Sequence, residues 1–294
     1  MKLGDTRSLL RQTFNDWMAH SSQTMGASLA YFTVLSLSPL LVIAVAIAGL
    51  VFGKAAVQGL IVSEMRDLVG TAGAQTIQNI LIHAKSLSSG LLASLLGLIT
   101  LFFGAAGVFN ELRNALNKIW NVNPQSSGLM GIVKDELRSF GLVVGIGFLL
   151  LVSLLVSTVL TAISRFAADF LPLQLLWSFN VTVSLVVITI LFAVMYRVVP
   201  ATNIPWSDVW IGALATAILF TLGKLLIGLY LGNASIGSAY GAAGSLVVLL
   251  VWVYYSAQIF LFGAEFTHVY SMRKGSRHRY PKRPPVEARE PQHV

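Results

Sequence analysis

Arg197, Lys224 and Glu265 are the residues charged by default that fall inside long apolar stretches of this chain. A charge near the centre of a membrane-spanning helix costs at least ~2.5–3.5 kcal/mol on insertion scales, so each marks either a functional site or a structural tie. Depth decides which of them can meet. Lys224 lies seven residues from the outer end of its stretch, level with Val251 and Trp252 on the last stretch. Glu265 lies about 21 Å deeper at 1.5 Å per residue, so a Lys224–Glu265 pair is not expected. Glu265 instead falls at the depth of Arg197 and Tyr31, and a Glu265–Arg197 ion pair is expected if their helices adjoin. Such a pair is a tie at the membrane edge, or else a gate or proton-coupled site. Lys224 also has two readings. Its ammonium snorkels to the headgroups, or it forms a cationic site for an anionic substrate or lipid, with Trp252 offering a cation–π contact.

Other polar features are subtler. Pro39 sits mid-stretch and frees the carbonyl of Leu35, with Ser36 and Ser38 beside it. The result is a packed kink or the broken helix of a translocation path. Gln258 suits an interhelical hydrogen bond. The segment GNASIGSAYGAAG, residues 232–244, includes Tyr240 and Gly241 and permits a tight, backbone-rich entry into the last stretch. Gly141–Gly145 and Gly228–Gly232 are small-xxx-small pairs suited to close helix packing. Enzyme chemistry finds little footing. The five histidines are scattered, and no zincin, P-loop or nucleophile-elbow motif is present. Asp135 and Glu136 lie beside Lys134 and Arg138 and read as a solvated helix start. There is no cysteine, which removes thiolate metal sites, Cys nucleophiles and palmitoylation. No catalytic residue, metal or cofactor is expected.

The elements that must position these residues are membrane helices. Only 11% of the 294 residues are charged, against roughly 25% in soluble domains, and the mean hydropathy is +0.75. Six stretches are long enough to span a hydrocarbon core: 28–52, 91–109, 140–163, 177–199, 209–231 and 244–269. Runs of this length mean helices, because backbone groups in lipid must be satisfied internally. The first is too long for the apolar region of a cleaved signal peptide. The expected fold class is all-α, a six-helix transmembrane bundle over residues 28–269. Fifteen Lys and Arg fall on one side of this layout, seven of them in the tail, against Lys54, Arg66, Lys85 and Arg165 on the other. The positive-inside rule then places both termini in the cytoplasm of a bacterial inner membrane. Trp120, Trp177 and Trp206 fall at or just beyond stretch ends, where indoles favour the headgroup level.

Residues 1–27 carry Leu3, Leu10, Phe14, Trp17 and Met18 at helical spacing, and an interfacial cytoplasmic helix is expected. The extracytoplasmic segment 53–90 reads as two short amphipathic helices separated by Gly70 and Gly73. Val108, Leu112, Leu116 and Ile119 form one stripe, so the second span is expected to continue past the membrane. Residues 270–294 form a basic tail too poor in apolar residues to fold. The net charge of +8 therefore points to anionic lipid rather than to specific nucleic acid. A small-molecule or lipid substrate is expected, and homo-oligomerisation stays open.

Several blocks carry a family resemblance, which covers roughly residues 10–272. LAYFTVLSLSPL (29–40), NELRNALNKIWNV (110–122), PATNIPWSDVWIGALATA (200–217), GKLLIGLYL (223–231) and YGAAGSLVVLLVWVYYSAQIFLFGAEFTHVY (240–270) resemble motifs of the YihY/virulence factor BrkB family of bacterial inner-membrane proteins. The resemblance makes Lys224, Tyr230, Tyr240, Gly241, Trp252, Tyr255, Gly263 and Glu265 motif positions. Ala201-Thr202-Asn203 departs from the Pro-Asn that the family often shows. The family has also carried the name ribonuclease BN, and a member name implies serum resistance. The resemblance thus raises a nuclease reading that the residues do not support, and efflux or transport is what it suggests; Lys224, Glu265, Pro39 and the glycine-rich entry to the last stretch themselves point to a transporter or permease-like protein, with a non-transporting envelope role in binding lipid or scaffolding a complex as the alternative.

Overall fold

Every regular element among the described residues is a helix. The structure, a computed structural model, describes residues 3–87, 91–122, 173–233 and 244–275. The helices are α1 (Leu3–Ala19), α2 (Ser22–Phe52), α3 (Lys54–Leu87), α4 (Leu91–Ile119), α5 (Leu173–Val198), α6 (Trp206–Asn233) and α7 (Gly244–Arg273). The expected span 140–163, the Asp135–Glu136 pair, Tyr240, Gly241 and the tail beyond residue 275 lie outside the described residues. Within the described residues, three helical segments are long and apolar enough to cross a membrane: Val181–Val198, Trp206–Ile227 and Leu246–Arg273.

The helices outrun the apolar stretches that seed them because amphipathic faces continue the packing. α4 runs on to Ile119, burying Leu112, Leu116 and Ile119 on one stripe. It stops where Asn121 takes a left-handed backbone (φ 51) and the Val122 amide donates to the Asn117 carbonyl. The region from residue 53 differs from the expected pair of short helices. Lys54–Leu87 is one helix, continuous through Gly70 and Gly73. A helical glycine costs about 1 kcal/mol relative to alanine. Burial of Val57, Ile77 and Leu81 against Leu41 and Val45 of α2 offsets that cost. α2 is likewise continuous through Pro39, so it is not the broken helix that a mid-span proline permits. Contacts with α3 and α4 on either side hold it together.

α7 is the central helix, packed against α1, α2, α3, α4 and α6. The α6–α7 seam is close enough to require glycine. A Cβ on Gly212 would run into the Thr267 side chain, and one on Gly263 into Thr216 and the Tyr196 hydroxyl. The main core gathers Leu112, Leu116 and Trp120 of α4 and its C-terminal turn, Phe192 and Tyr196 of α5, Ala213 and Ala217 of α6, and Phe260 and Leu261 of α7. Outward, α6 presents Leu214, Ile218, Leu222 and Leu225 at helical spacing, all exposed. A continuous exposed apolar stripe of this kind suits lipid rather than water.

Candidate functional site

The turn between α1 and α2 sets the geometry of the site. Ser21 adopts a left-handed backbone (φ 59), and its amide donates to the Met18 carbonyl. The chain reverses there, so α1 folds back onto α7. The turn delivers the His20 ring to Glu265, with Nδ1 2.6 Å from Oε1. Glu265 is 0% exposed while the His20 side chain is 21% exposed, so one member is sealed and the other reaches the surface. The expected Glu265–Arg197 pair does not form. Arg197 stacks on Trp206, its Cζ 5.8 Å from the ring centroid, a cation–π contact across the short loop joining α5 to α6. The sequence missed His20, because a histidine just outside the apolar stretches is not counted as a charge. Its one signal is a position directly after an amphipathic helix able to lie across the bundle.

The seam of α1, the start of α2 and α7 is poorly satisfied. Four of its buried polar atoms have no hydrogen-bond partner among the described residues: Trp17 Nε1, Ser22 Oγ, Gln258 Oε1 and Glu265 Oε2. Gln258 makes one long interhelical contact, its Nε2 donating to the Gln23 carbonyl at 3.4 Å, and it presses on Gly26. At the far end of α7, the Arg273 guanidinium donates to Ser8 Oγ of α1 at 3.0 Å. Several buried polar groups elsewhere are paired. The Tyr196 hydroxyl donates to the Phe260 carbonyl at 2.7 Å and lies 3.1 Å from Thr216 Oγ1. Ser271 donates to buried Asp208 at 2.8 Å. The Ala201 amide donates to Asn117 Oδ1 at 2.8 Å.

Beside the seam lies a groove of about 380 Å³ between α1, α6 and α7. Phe14 and Trp17 form its α1 wall, Leu222, Gly223 and Leu226 its α6 wall, and Tyr255, Gln258 and Ile259 its α7 wall. Phe14, Leu222 and Leu226 are each more than half exposed, so the groove opens onto the outer face of the bundle. Lys224 points elsewhere. It lines a separate crevice with Trp252, Tyr255 and Ser256, about 160 Å³ in all and too narrow to admit water. The structure thus brings Lys224 and Trp252 to one place, and places Gln258 on the groove. Tyr31 stands apart, 59% exposed and edge-on to Phe32.

The profile of the virulence factor BrkB family matches residues 13–288. The chain belongs to that family. The UPF0761 membrane protein PsycPRwf_0630 of Psychrobacter sp. is 28% identical over 94% of this chain and 51% of its own length. A Bacillus subtilis protein, YfkH, described as ribonuclease-like, is 28% identical over 91% of this chain and 96% of its own. The UPF0761 membrane protein MS0032 of Mannheimia succiniciproducens is 29% identical over 84% of each. The chain thus spans about half the length of the Psychrobacter relative. No solved structure matches it. With three apolar helices and this family membership, the chain is an integral membrane protein. The resemblance blocks now have places in the BrkB-family fold. Asn117, Trp120 and Gly263 sit in packed, hydrogen-bonded joints, whereas Glu265 anchors the unsatisfied seam. Among the described residues, no three His, Asp or Glu side chains converge to hold a metal ion.

Proposed function

We propose that this protein is permease-like and that its cargo is an amphiphile or lipid taken in from the side of the bundle. The groove between α1, α6 and α7 carries the reading. Its walls are almost wholly apolar, it opens on the outer face, and two of its three walls belong to helices apolar enough to span. Acyl chains are the solvent on that face, so an alkyl chain fills the groove at least cost in exposed apolar surface. The reading takes the chain as a six-span protein of the bacterial inner membrane with both termini cytoplasmic. The excess of Lys and Arg on one side supports this. In that frame α1 packs along α7 from the cytoplasmic end, and its outward stripe of Leu10, Phe14 and Met18, all exposed, faces the apolar surroundings.

The closed crevice at Lys224 favours a second reading, in which lipid is bound but not translocated. One experiment separates them. Wild type and Leu226→Trp, which fills the groove, are reconstituted in liposomes holding a photoactivatable phospholipid and a fluorescent lipid reporter. Cross-links on α6 and α7 together with flipping of the reporter, both diminished in the variant, support translocation. Cross-links without flipping support binding alone. Absence of groove cross-links in wild type overturns both. A nuclease reading, raised by the ribonuclease-like description of the Bacillus relative, requires RNA cleavage by pure protein that Asp135→Ala and Glu136→Ala abolish.

A further inference from the structure

The groove and the Lys224 crevice share a wall. Tyr255 and Ile259 of α7 line both, and Gly223, which lines the groove, is the residue before Lys224 on α6. The wall is thin because Gly223 has no side chain. A Cβ there would stand 3.1 Å from the Tyr255 hydroxyl and run into the Ile259 side chain, so both side chains lie against the α6 backbone. Leu222 and Leu226 face the groove, whereas Phe220, Lys224 and Ile227 face the crevice. These are two adjoining faces of one helix. An apolar groove and a basic group are thus separated, where they adjoin, by the side chains of Tyr255 and Ile259.

The charge on these two cavities is one-sided. Among the described residues that line them, Lys224 is the one charged side chain. An ammonium within a spanning helix is costly, and an opposite charge hydrogen-bonded to it offsets that cost. A lipid whose acyl chain fills the groove must place its headgroup somewhere, and a headgroup anion meets its counter-charge at Lys224. A zwitterionic headgroup brings a cation as well, and no carboxylate among the described residues lines either cavity to receive it. A headgroup with a single negative charge has no such surplus. Tyr255 and Ser256 add hydroxyls beside Lys224. That set of donors suits the several oxygens of a phosphodiester better than the two of a carboxylate.

We infer that the groove and the crevice form one bipartite site for an anionic phospholipid with a singly charged phosphodiester headgroup. Its acyl chain lies in the groove, its phosphate meets Lys224, and Tyr255 is the partition that moves aside to join the two. The inference rests on the proposed role of the groove and names the lipid class that the groove takes. The crevice as it stands is too narrow for water, so entry of a headgroup requires the Tyr255 side chain to change rotamer. Tyr255 is partly exposed, and rotamer exchange of a side chain that is not fully packed is a small, fast step. Depth gives the contact its meaning. The Lys224 backbone lies seven residues inside the outer end of its apolar stretch, about 10 Å at 1.5 Å per residue. A phosphate held in the crevice lies below the headgroup level and inside the bundle, where a lipid that merely coats the surface does not place one.

The test uses the full chain in phosphatidylcholine nanodiscs. Equal traces of photoactivatable phosphatidylglycerol, phosphatidylcholine or fatty acid are added in separate samples, each with its reactive group at the chain end. Cross-links on α6 and α7 are mapped by mass spectrometry. In the unaltered protein, phosphatidylglycerol should label the groove about tenfold more than phosphatidylcholine, the order expected of one charge-assisted contact. Lys224→Gln should bring the two to parity, and Lys224→Arg should restore the difference. Tyr255→Ala removes the partition and should raise phosphatidylglycerol labelling while keeping its dependence on Lys224. The comparison of lipids in unaltered protein needs no variant, so it decides the matter should Lys224→Gln fold poorly. Equal groove labelling by the two phospholipids overturns the bipartite site and leaves the groove reading standing. A preference that survives Lys224→Gln overturns it too. Stronger labelling by the fatty acid than by phosphatidylglycerol overturns the phosphodiester headgroup. Absence of groove labelling by all three overturns the groove reading and the bipartite site together.

Discussion

Replacing His20 by alanine removes the partner of a carboxylate that has no exposure. Breaking a buried ion pair by deleting one member typically costs about 3–5 kcal/mol, because the other member is left charged and unpaired. His20 itself is 21% exposed, so water enters the vacated space and screens part of the loss. The expected cost of His20→Ala is therefore about 2–3 kcal/mol. Glu265→Gln should cost less, about 1 kcal/mol, since the amide still meets the imidazole and carries no charge. The double variant decides the argument. With no charge left to strand, it should be less destabilised than the sum of the single changes by at least about 1 kcal/mol. The assay is reversible unfolding in mixed micelles, with single and double variants measured in one cycle at constant pH. Additive effects, or a His20→Ala cost below about 0.5 kcal/mol, would refute a buried pair and with it the seat of α1 on α7.

Three further outcomes follow from the paired joints. Asn117→Ala removes the acceptor for the Ala201 amide and should cost about 1 kcal/mol in the same unfolding assay. Hydrogen exchange should quicken at Ala201 while the α6–α7 seam keeps its protection. Ser271→Ala leaves buried Asp208 without its 2.8 Å donor and should cost about 1.5–3 kcal/mol, the range for hydrogen bonds to charged groups. Ser271→Thr, which keeps the hydroxyl, should recover most of that loss. Gly263→Val forces a branched side chain into Thr216 and Tyr196, at a cost of at least about 1–3 kcal/mol. Measured yield of folded protein should fall below that of Gly263→Ala.

The helices were legible because apolar runs of this length have one solution in lipid, and α4 was legible past its apolar run because its stripe stays in phase. The single helix of residues 54–87 was not, since Gly70 and Gly73 are local signals and the packing on α2 that overrides them is not local. Glu265 stood out in the sequence for a sound reason, the cost of its charge. Its partner did not, because depth along parallel helices brings only residues within the spans, Arg197 and Tyr31, to its level. α1 breaks that assumption. It lies outside the apolar stretches, yet its fold-back across α7 carries His20 to Glu265. Arg197 takes the nearer aromatic face of Trp206, nine residues along the chain. The short loop makes that contact local and the carboxylate distant. A helix that folds back onto the bundle changes who meets whom, and hydropathy says nothing of where it packs. α1 is seated on α7 by the His20–Glu265 pair, by the burial of Leu9 and Thr13 and by the packing of Trp17, beside the glycine-packed α6–α7 core.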